Sequence, residues 1–137
     1  IGYDCAMVPE DARSLAAIVK IARAEGRMLV TSSRREDAHT EDVITVPPEQ
    51  LSAQAKVVID RIPIDFDTLA FTRCSLDNTS LEFFSFEAMQ EQLPPLVREM
   101  RPDPVSRCPQ CGKVYWPGTH TKRVWDELTQ WRNEIRL

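Results

Sequence analysis

The sequence predicts an α/β fold for residues 1–66 and a metal-stapled part with a C-terminal helix for residues 67–137. Three observations support this division. Strand-like and helix-like apolar patterns alternate up to residue 66. A Cys-x-x-Cys-Gly-Lys motif at 108–113 has the spacing of one half of a zinc ribbon. Residues 121–137 carry apolar side chains at helical spacing, and we expect them to form the last helix.

Composition and charge limit the classes of function that the chain can have. With 137 residues, the chain can bury only a modest core, which a bound metal would help to stabilise. A net charge of −4 argues against a surface that is basic all over, so any contact with nucleic acid must use a local patch. No apolar run approaches the roughly 20 residues of a membrane span, and we see no signal peptide. We therefore expect no membrane contact.

The first elements predict a strand–helix–strand unit. Residues 1–8 are apolar with β-branched ends, which predicts a short strand. Apolar residues at helical spacing predict an amphipathic helix over 12–24, and Asp11 is suited to cap it. Gly26 is suited to end this helix in a left-handed conformation, and residues 27–31 predict a second strand. Because the links are short, we expect the two strands to be parallel neighbours.

The alternation continues to residue 66 and then changes. Residues 43–46 predict a third strand, and apolar residues from Leu51 to Ile59 predict a second helix that ends before Pro63. In the second part, residues 87–93 predict a further short helix. One face of the C-terminal helix carries an apolar stripe, which is typical of core packing. The stripe consists of Val124, Leu128, Trp131 and Ile135.

The cysteines predict a bound zinc ion. Cys108 and Cys111 lie three positions apart on a tight turn, so their thiolates can converge on one tetrahedral metal. The other half of the ribbon should be a similar pair, for which Cys74 is the candidate, with Asp77 at the partner position. In a chain without secretory features, this motif favours an intracellular metal site, in the cytoplasm, ribonucleoprotein granules or the nucleus. Cys5 lies in an apolar run and is expected to be buried.

Four segments in order, 1–4, 22–31, 73–74 and 108–120, resemble the Mut-seven C-terminal domain family. The block Cys-Pro-Gln-Cys-Gly-Lys-Val-Tyr-Trp-Pro-Gly-Thr-His is the most specific of them. Members of the family stand alone in prokaryotes and are joined to DEDD-type 3′–5′ exoribonucleases in animals. The resemblance implies a PIN-like, three-layer parallel sheet that here lacks its first strand and helix. A structural zinc ribbon, with an inserted segment at 79–105, and a C-terminal helix would follow.

The resemblance also implies a departure at the nuclease site. Where the family shows Thr-Arg-Asp after its second strand, this chain has Thr-Ser-Ser at 31–33. A PIN nuclease needs several carboxylates at the ends of its parallel strands to hold Mg²⁺ or Mn²⁺ and activate water. We therefore expect no catalytic residue here. The alternative is a Mg²⁺- or Mn²⁺-dependent PIN-type ribonuclease that uses Glu10, Asp11 and Asp37, although Glu10 and Asp11 also suit a helix start.

A second departure concerns the ribbon, because Asp77 stands where the family has the second cysteine of the first pair. Zinc accepts a carboxylate oxygen, although three cysteines with one aspartate are an unusual structural set. His120 or His39 could take the place of Asp77. The predicted ligands are Cys74, Asp77, Cys108 and Cys111.

A basic and aromatic stretch around the ribbon predicts contact with single-stranded RNA, which is held by aromatic stacking and by Lys or Arg along the phosphates. Tyr115 and Trp116 could instead cover the small core of the ribbon. With the resemblance, this stretch favours a non-catalytic RNA-binding module that supports an attached 3′–5′ exoribonuclease in small-RNA metabolism. The candidate RNA-binding residues are Arg73, Arg107, Lys113, Tyr115, Trp116, His120, Lys122 and Arg123.

The segment 79–105, between the two halves of the ribbon, is unusually apolar for a loop. We expect it to pack on the α/β part; alternatively, it presents a groove to an adaptor protein. Its apolar residues are Leu81, Phe83, Phe84, Phe86, Met89, Leu93, Leu96 and Val97.

Overall fold

The computed structural model describes residues 2–9, 11–12, 14–33, 41–48 and 50–135. Within these ranges, no helix combines the length and the apolar character needed to cross a membrane. Contacts divide the chain into two compact units. The ribbon unit comprises the described residues up to Ala6 together with Asp65–Leu128, and the sheet unit comprises Met7–Ile64 and the chain from Thr129 onward.

The sheet unit is built on a parallel pair of strands. Its elements are the helices α1 (Leu15–Ala24) and α2 (Leu51–Arg61) and the strands β1 (Leu29–Thr31) and β2 (Val43–Thr45). Leu29 lies opposite Val43 in the pair, and both are buried. The apolar face of α1 covers them with Leu15, Ile18, Val19 and Ala22. The predicted helices and the predicted strands at 27–31 and 43–46 are therefore confirmed, with shifted ends.

The two ends of α1 differ in how well the sequence predicted them. The side chain of Ser14 accepts a hydrogen bond of 3.2 Å from the Ala17 N–H, so Ser14 caps the helix rather than the predicted Asp11. At the other end, Gly26 has a φ of 65°, as predicted. The N–H of Arg27 donates to the Ala22 carbonyl at 2.8 Å, which completes a Schellman motif.

The predicted strand at residues 1–8 is wrong, since residues 2–9 form no regular element. A strand needs the N–H and C=O groups of a neighbouring strand. Here the carbonyls of Gly2 and Cys5 instead accept hydrogen bonds from the side chains of Arg73, at 3.1 Å, and Asn78, at 3.0 Å. Cys5 is exposed, contrary to expectation, because none of the described strands pairs with this surface segment. The parallel pair therefore consists of β1 and β2, and not of residues 1–8 and 27–31 as predicted.

The ribbon unit contains an antiparallel sheet and several short helices. The sheet order is β3-β4-β5, with Phe84 opposite Val105 and Arg107 opposite Val114. Its elements are α3 (Phe66–Leu69), β3 (Glu82–Phe84), α4 (Phe86–Met89), a 3₁₀ turn (Gln90–Gln92), α5 (Pro95–Met100), β4 (Val105–Arg107), β5 (Val114–Tyr115) and α6 (Thr119–Ile135), which continues into the sheet unit. With the parallel pair, these elements confirm a mixed α/β fold. The PIN-like three-layer arrangement stays a prediction.

Helix α5 was not predicted from the sequence. Pro95 is the first residue of the helix. Proline is suited to this position because a backbone N–H there would have no partner within the helix. The short helix predicted at 87–93 is present as α4 and the 3₁₀ turn. In α6, Leu128 is buried and the other three residues of the apolar stripe are half-buried, in agreement with core packing.

The inserted segment forms the core of its own unit. Phe86, Met89 and Leu93 are buried together with Val105 of β4. Phe84, Val97, Val114 and Trp116 pack against this cluster. The segment was expected to pack on the α/β part, but the cluster shows that its apolar side chains pack on the strands of the ribbon. The segment packs there because it is adjacent in sequence: β4 begins at Val105, where the segment ends, and pairs with β3 inside the segment.

Candidate metal centre

Two short turns carry the candidate ligands, and their backbones follow the same pattern. We call residues 74–79 the first knuckle and residues 108–113 the second knuckle. In the first, the Cys74 N–H donates to the Thr79 carbonyl at 2.8 Å. In the second, the Cys108 N–H donates to the Lys113 carbonyl at 2.9 Å. Each knuckle is therefore a six-residue loop that its first and last residues close.

The fifth position of each knuckle has a left-handed backbone. Asn78 has a φ of 60° and Gly112 a φ of 75°. The N–H of each residue donates to the carbonyl of the first knuckle residue, Cys74 or Cys108, at 3.0 Å. Asparagine and glycine are the residue types that adopt this conformation most readily. Asn78 is thus a sequence signal for the first knuckle that the cysteine count alone did not give.

Strand pairing places both knuckles at the tips of β-hairpins. Arg73 and Ser80 pair on either side of the first knuckle. Arg107 and Val114 pair in the same way on either side of the second. Because the two turns are equivalent, the fourth position of the first knuckle, Asp77, corresponds to Cys111 of the second.

The four predicted ligand residues meet at one point. The Sγ atoms of Cys74, Cys108 and Cys111 and a carboxylate oxygen of Asp77 all lie within 4.8 Å of one another. The Sγ atoms of Cys74 and Cys111 are 3.6 Å apart, and Cys108 Sγ lies 3.4 Å from the Asp77 carboxylate. Around a tetrahedral zinc ion, ordinary bond lengths would give about 3.8 Å between two sulfurs and about 3.5 Å between sulfur and oxygen. These residues could therefore hold a metal ion, and the distances fit zinc.

The histidines proposed as substitutes for Asp77 do not join this cluster. His120 lies on α6 and is exposed, outside the group of four. His39 lies outside the described residues. Among the described residues, Asp77 is therefore placed to supply the fourth ligand.

The surroundings shift the pKa values of Asp77 and Cys111 in opposite directions. They favour the charged carboxylate of Asp77 and the neutral thiol of Cys111. The backbone N–H of Thr79, which donates to Asp77 at 3.0 Å, is the largest cause that lowers the pKa of this carboxyl far below its usual range. The Lys113 N–H lowers the pKa of Cys111, but desolvation, Cys108, Asp77 and Cys74 together raise it to about 12. A metal cation bound by these groups would lower the pKa of Cys111, because a coordinating thiol is deprotonated.

Tyr115 belongs to the support of the cluster. Its hydroxyl accepts a hydrogen bond of 3.1 Å from the Ser75 N–H and lies 3.1 Å from Cys74 Sγ, to which it can donate. The residue is half-buried against Cys74, Cys108 and Leu81. Groups that hydrogen-bond to metal ligands orient them. This packing agrees with the alternative that Tyr115 covers the core of the ribbon. The sequence did not predict the hydrogen bond to Cys74, because it joins residues 41 positions apart.

The other candidate RNA-binding residues have different surroundings. Trp116 is half-buried against the core of the ribbon unit. The guanidinium of Arg73 donates to the Gly2 carbonyl, and that of Arg107 lies 5.5 Å from the Phe84 ring and 3.8 Å from Glu82. Four candidates are exposed, namely Lys113, His120, Lys122 and Arg123.

The acids of the alternative nuclease site are not brought together in the described residues. Glu10 and Asp37, with Glu36, lie outside these residues, and Asp11 is exposed in a turn before α1. The described residues that follow β1 and β2 are Ser32, Ser33 and 46–48, which carry no carboxylate.

Replacing Asp77 tests the fourth ligand. We expect Asp77→Ala to weaken zinc binding by more than the roughly 10–100-fold loss that outer-shell changes cause, because water must then fill the position. Asp77→Cys, which matches Cys111, is expected to bind zinc at least as tightly as the wild type. Competition with a chromophoric chelator measures both affinities. Equal affinity of the wild type and Asp77→Ala would show that Asp77 does not bind the metal.

Comparison with known proteins places these features in one family. The model of the Mut7-C RNAse domain matches residues 1–128, a range that contains both knuckles and the segment between them. No curated protein and no solved structure gives a significant match. The resemblance seen in the sequence is thereby confirmed, and this chain belongs to the Mut7-C RNAse domain family.

Proposed function

We propose that this domain is a non-catalytic RNA-binding module, stabilised by zinc, that supports an attached 3′–5′ exoribonuclease in small-RNA metabolism. One observation carries the proposal: four ligand atoms from two knuckles converge with the spacing of a closed tetrahedral site. Four protein ligands leave no open position for water or substrate, which is typical of structural zinc. Three thiolates also favour zinc over Mg²⁺ or Mn²⁺, the metals of nucleases.

The ends of the parallel strands support the non-catalytic part of the proposal. A metal-dependent nuclease needs carboxylates there, because hard cations take oxygen ligands. After β1 the chain continues with Ser32 and Ser33, and the Ser33 N–H donates to the Thr31 hydroxyl at 3.1 Å. This turn offers hydroxyls in place of an acid. Asp42, before β2, is paired with Arg23 at 2.8 Å.

The proposed RNA surface consists of the exposed residues Lys113, His120, Lys122 and Arg123. Lys122 pairs with Asp126 at 2.7 Å and Arg123 with Glu127 at 3.5 Å. Such exposed pairs contribute only about 0–1 kcal/mol, so phosphates can replace the carboxylates. Tyr115 supports the cluster and Trp116 packs on the core, so we assign them to stabilising this surface rather than to free stacking.

A docking role for the inserted segment has narrower support. Its large side chains Phe86, Met89 and Leu93 form the core, whereas Phe83 and Leu96 are 53% and 76% exposed. An adaptor protein would have to use these two residues and their neighbours. We therefore propose RNA binding, rather than docking of an adaptor protein, as the main role of the domain.

The test is a titration of labelled single-stranded RNA, followed by fluorescence anisotropy at two salt concentrations. We expect binding that weakens with salt, and a loss of at least about ten-fold in the variant Lys122→Glu with Arg123→Glu. Loss of two phosphate contacts should also reduce the salt slope by about 1.4. The matched control, Lys20→Glu with Arg23→Glu on α1, changes the charge equally and is expected to bind like the wild type.

Two results would contradict the proposal. Equal affinity of the wild type and the Lys122/Arg123 variant would show that these two residues do not bind RNA. Cleavage of the same RNA in the presence of Mn²⁺, abolished by Asp11→Asn, would support the alternative PIN-type ribonuclease.

A further inference from the structure

We propose that Phe71, supported by Trp125, is a platform on which a base of single-stranded RNA stacks. The inference rests on the proposed function and deepens it. Single-stranded RNA is held by stacking on aromatic rings as well as by cations along its phosphates. With Tyr115 and Trp116 assigned to stabilising the proposed RNA surface, another ring is needed for stacking.

Phe71 occupies a turn position that normally belongs to glycine. The Thr72 N–H donates to the Leu69 carbonyl at 3.4 Å, which closes a turn of four residues. Ala70 has φ −61° and ψ 137°, and Phe71 has a φ of 60°, as in a type II turn. The third position of this turn requires a positive φ, which strains a bulky residue such as phenylalanine. The backbone would therefore favour glycine at this position.

The strained turn places an aromatic ring at the surface. Phe71 is 40% exposed, so burial in the core accounts for only part of its side chain. Its ring lies 6.3 Å from the Trp125 ring between centroids, with an angle of 40° between the planes. Aromatic rings at this distance attract each other, so Trp125 holds the Phe71 ring in place. The exposed part of the ring is accessible to a base, and every base has a π-face that can stack there.

Trp125 connects this ring pair to the proposed RNA surface. It is half-buried, and it is not one of the four residues of the apolar stripe on α6. Lys122 lies three positions before it, and residues at this spacing are neighbours on the surface of a helix. Phe71, Lys122 and Trp125 all belong to the ribbon unit. A nucleotide whose base stacks on Phe71 would therefore have a cation for its phosphate beside the ring pair.

The competing explanation is that Phe71 only covers Trp125. In that case, any apolar side chain of similar size would serve as well as phenylalanine. Stacking of a base requires a flat ring instead. Phe71→Leu keeps the apolar bulk and the strain of the turn but removes the ring, whereas Phe71→Tyr keeps all three. The two variants therefore separate packing from stacking.

The test compares labelled single-stranded RNA with an abasic oligomer of the same length by fluorescence anisotropy. We expect the wild type to bind the RNA at least about five-fold more tightly than the abasic oligomer. Phe71→Leu should lose this preference and keep the salt slope, and Phe71→Tyr should keep both. The control Phe83→Ala removes another exposed ring, on β3, and should bind RNA like the wild type. If Phe71→Leu disturbs the fold, Phe71→Gly decides, because glycine adopts a positive φ without strain.

Two results would overturn the platform and leave the proposed function intact. One is wild-type affinity for RNA in Phe71→Leu and Phe71→Gly. The other is a wild type that binds the abasic oligomer as tightly as RNA while the Lys122/Arg123 variant still loses affinity. A wild type that binds neither oligomer would overturn the platform and the proposed function together.

Discussion

Replacing Cys108 by serine is expected to remove the metal and unfold the ribbon unit. Cys108 is completely buried, and its Sγ lies 3.4 Å from the Asp77 carboxylate. Serine cannot supply a thiolate, and structural zinc contributes roughly 10–16 kcal/mol of apparent binding free energy in small domains. This is as large as the whole stability of an ordinary domain, which is about 5–15 kcal/mol. Metal analysis and near-ultraviolet circular dichroism measure the loss.

The matched control is Cys5→Ser. Cys5 is exposed and lies outside the cluster, so the same chemical change there should leave zinc content and stability unchanged. A Cys108→Ser protein that keeps one zinc ion per chain and its circular dichroism would refute a structural metal.

Phe86→Ala is expected to cost about 3–5 kcal/mol in the free energy of unfolding of the ribbon unit. Phe86 is only 5% exposed and packs with Met89, Leu93 and Val105, so its removal leaves a cavity between the inserted segment and β4. Urea unfolding of the zinc-loaded protein, followed by tryptophan fluorescence, reports the change, because Trp116 packs against the same cluster.

Phe83→Ala makes the same substitution three positions earlier and serves as the control. Phe83 is 53% exposed, so we expect a change within about 0.5 kcal/mol. Equal destabilisation by the two variants would contradict the observed core, in which Phe86 is buried and Phe83 is exposed.

Features that depend on residues close in sequence were predicted correctly, whereas features that depend on distant residues were not. The Gly26 helix end depends on hydrogen bonds within six residues, and it was predicted correctly. The residues 1–8 have the composition of a strand, but a strand exists only with a partner. The side chains of Arg73 and Asn78 are the partners here, and they lie more than 70 positions away. Likewise, the sequence left Tyr115 open between RNA contact and the core of the ribbon, because its contact with Cys74 is not visible in local spacing.

The sequence by itself determined the Cys-x-x-Cys turn, the helices with regular apolar spacing and the family, because these depend on neighbouring residues and their order. The tertiary structure alone decided that the Tyr115 hydroxyl contacts Cys74, that the inserted segment packs on the ribbon strands, and that the first residues lie against a knuckle. These features arise where distant parts of the chain satisfy each other's polar groups and exclude water from their apolar side chains, which no local pattern encodes.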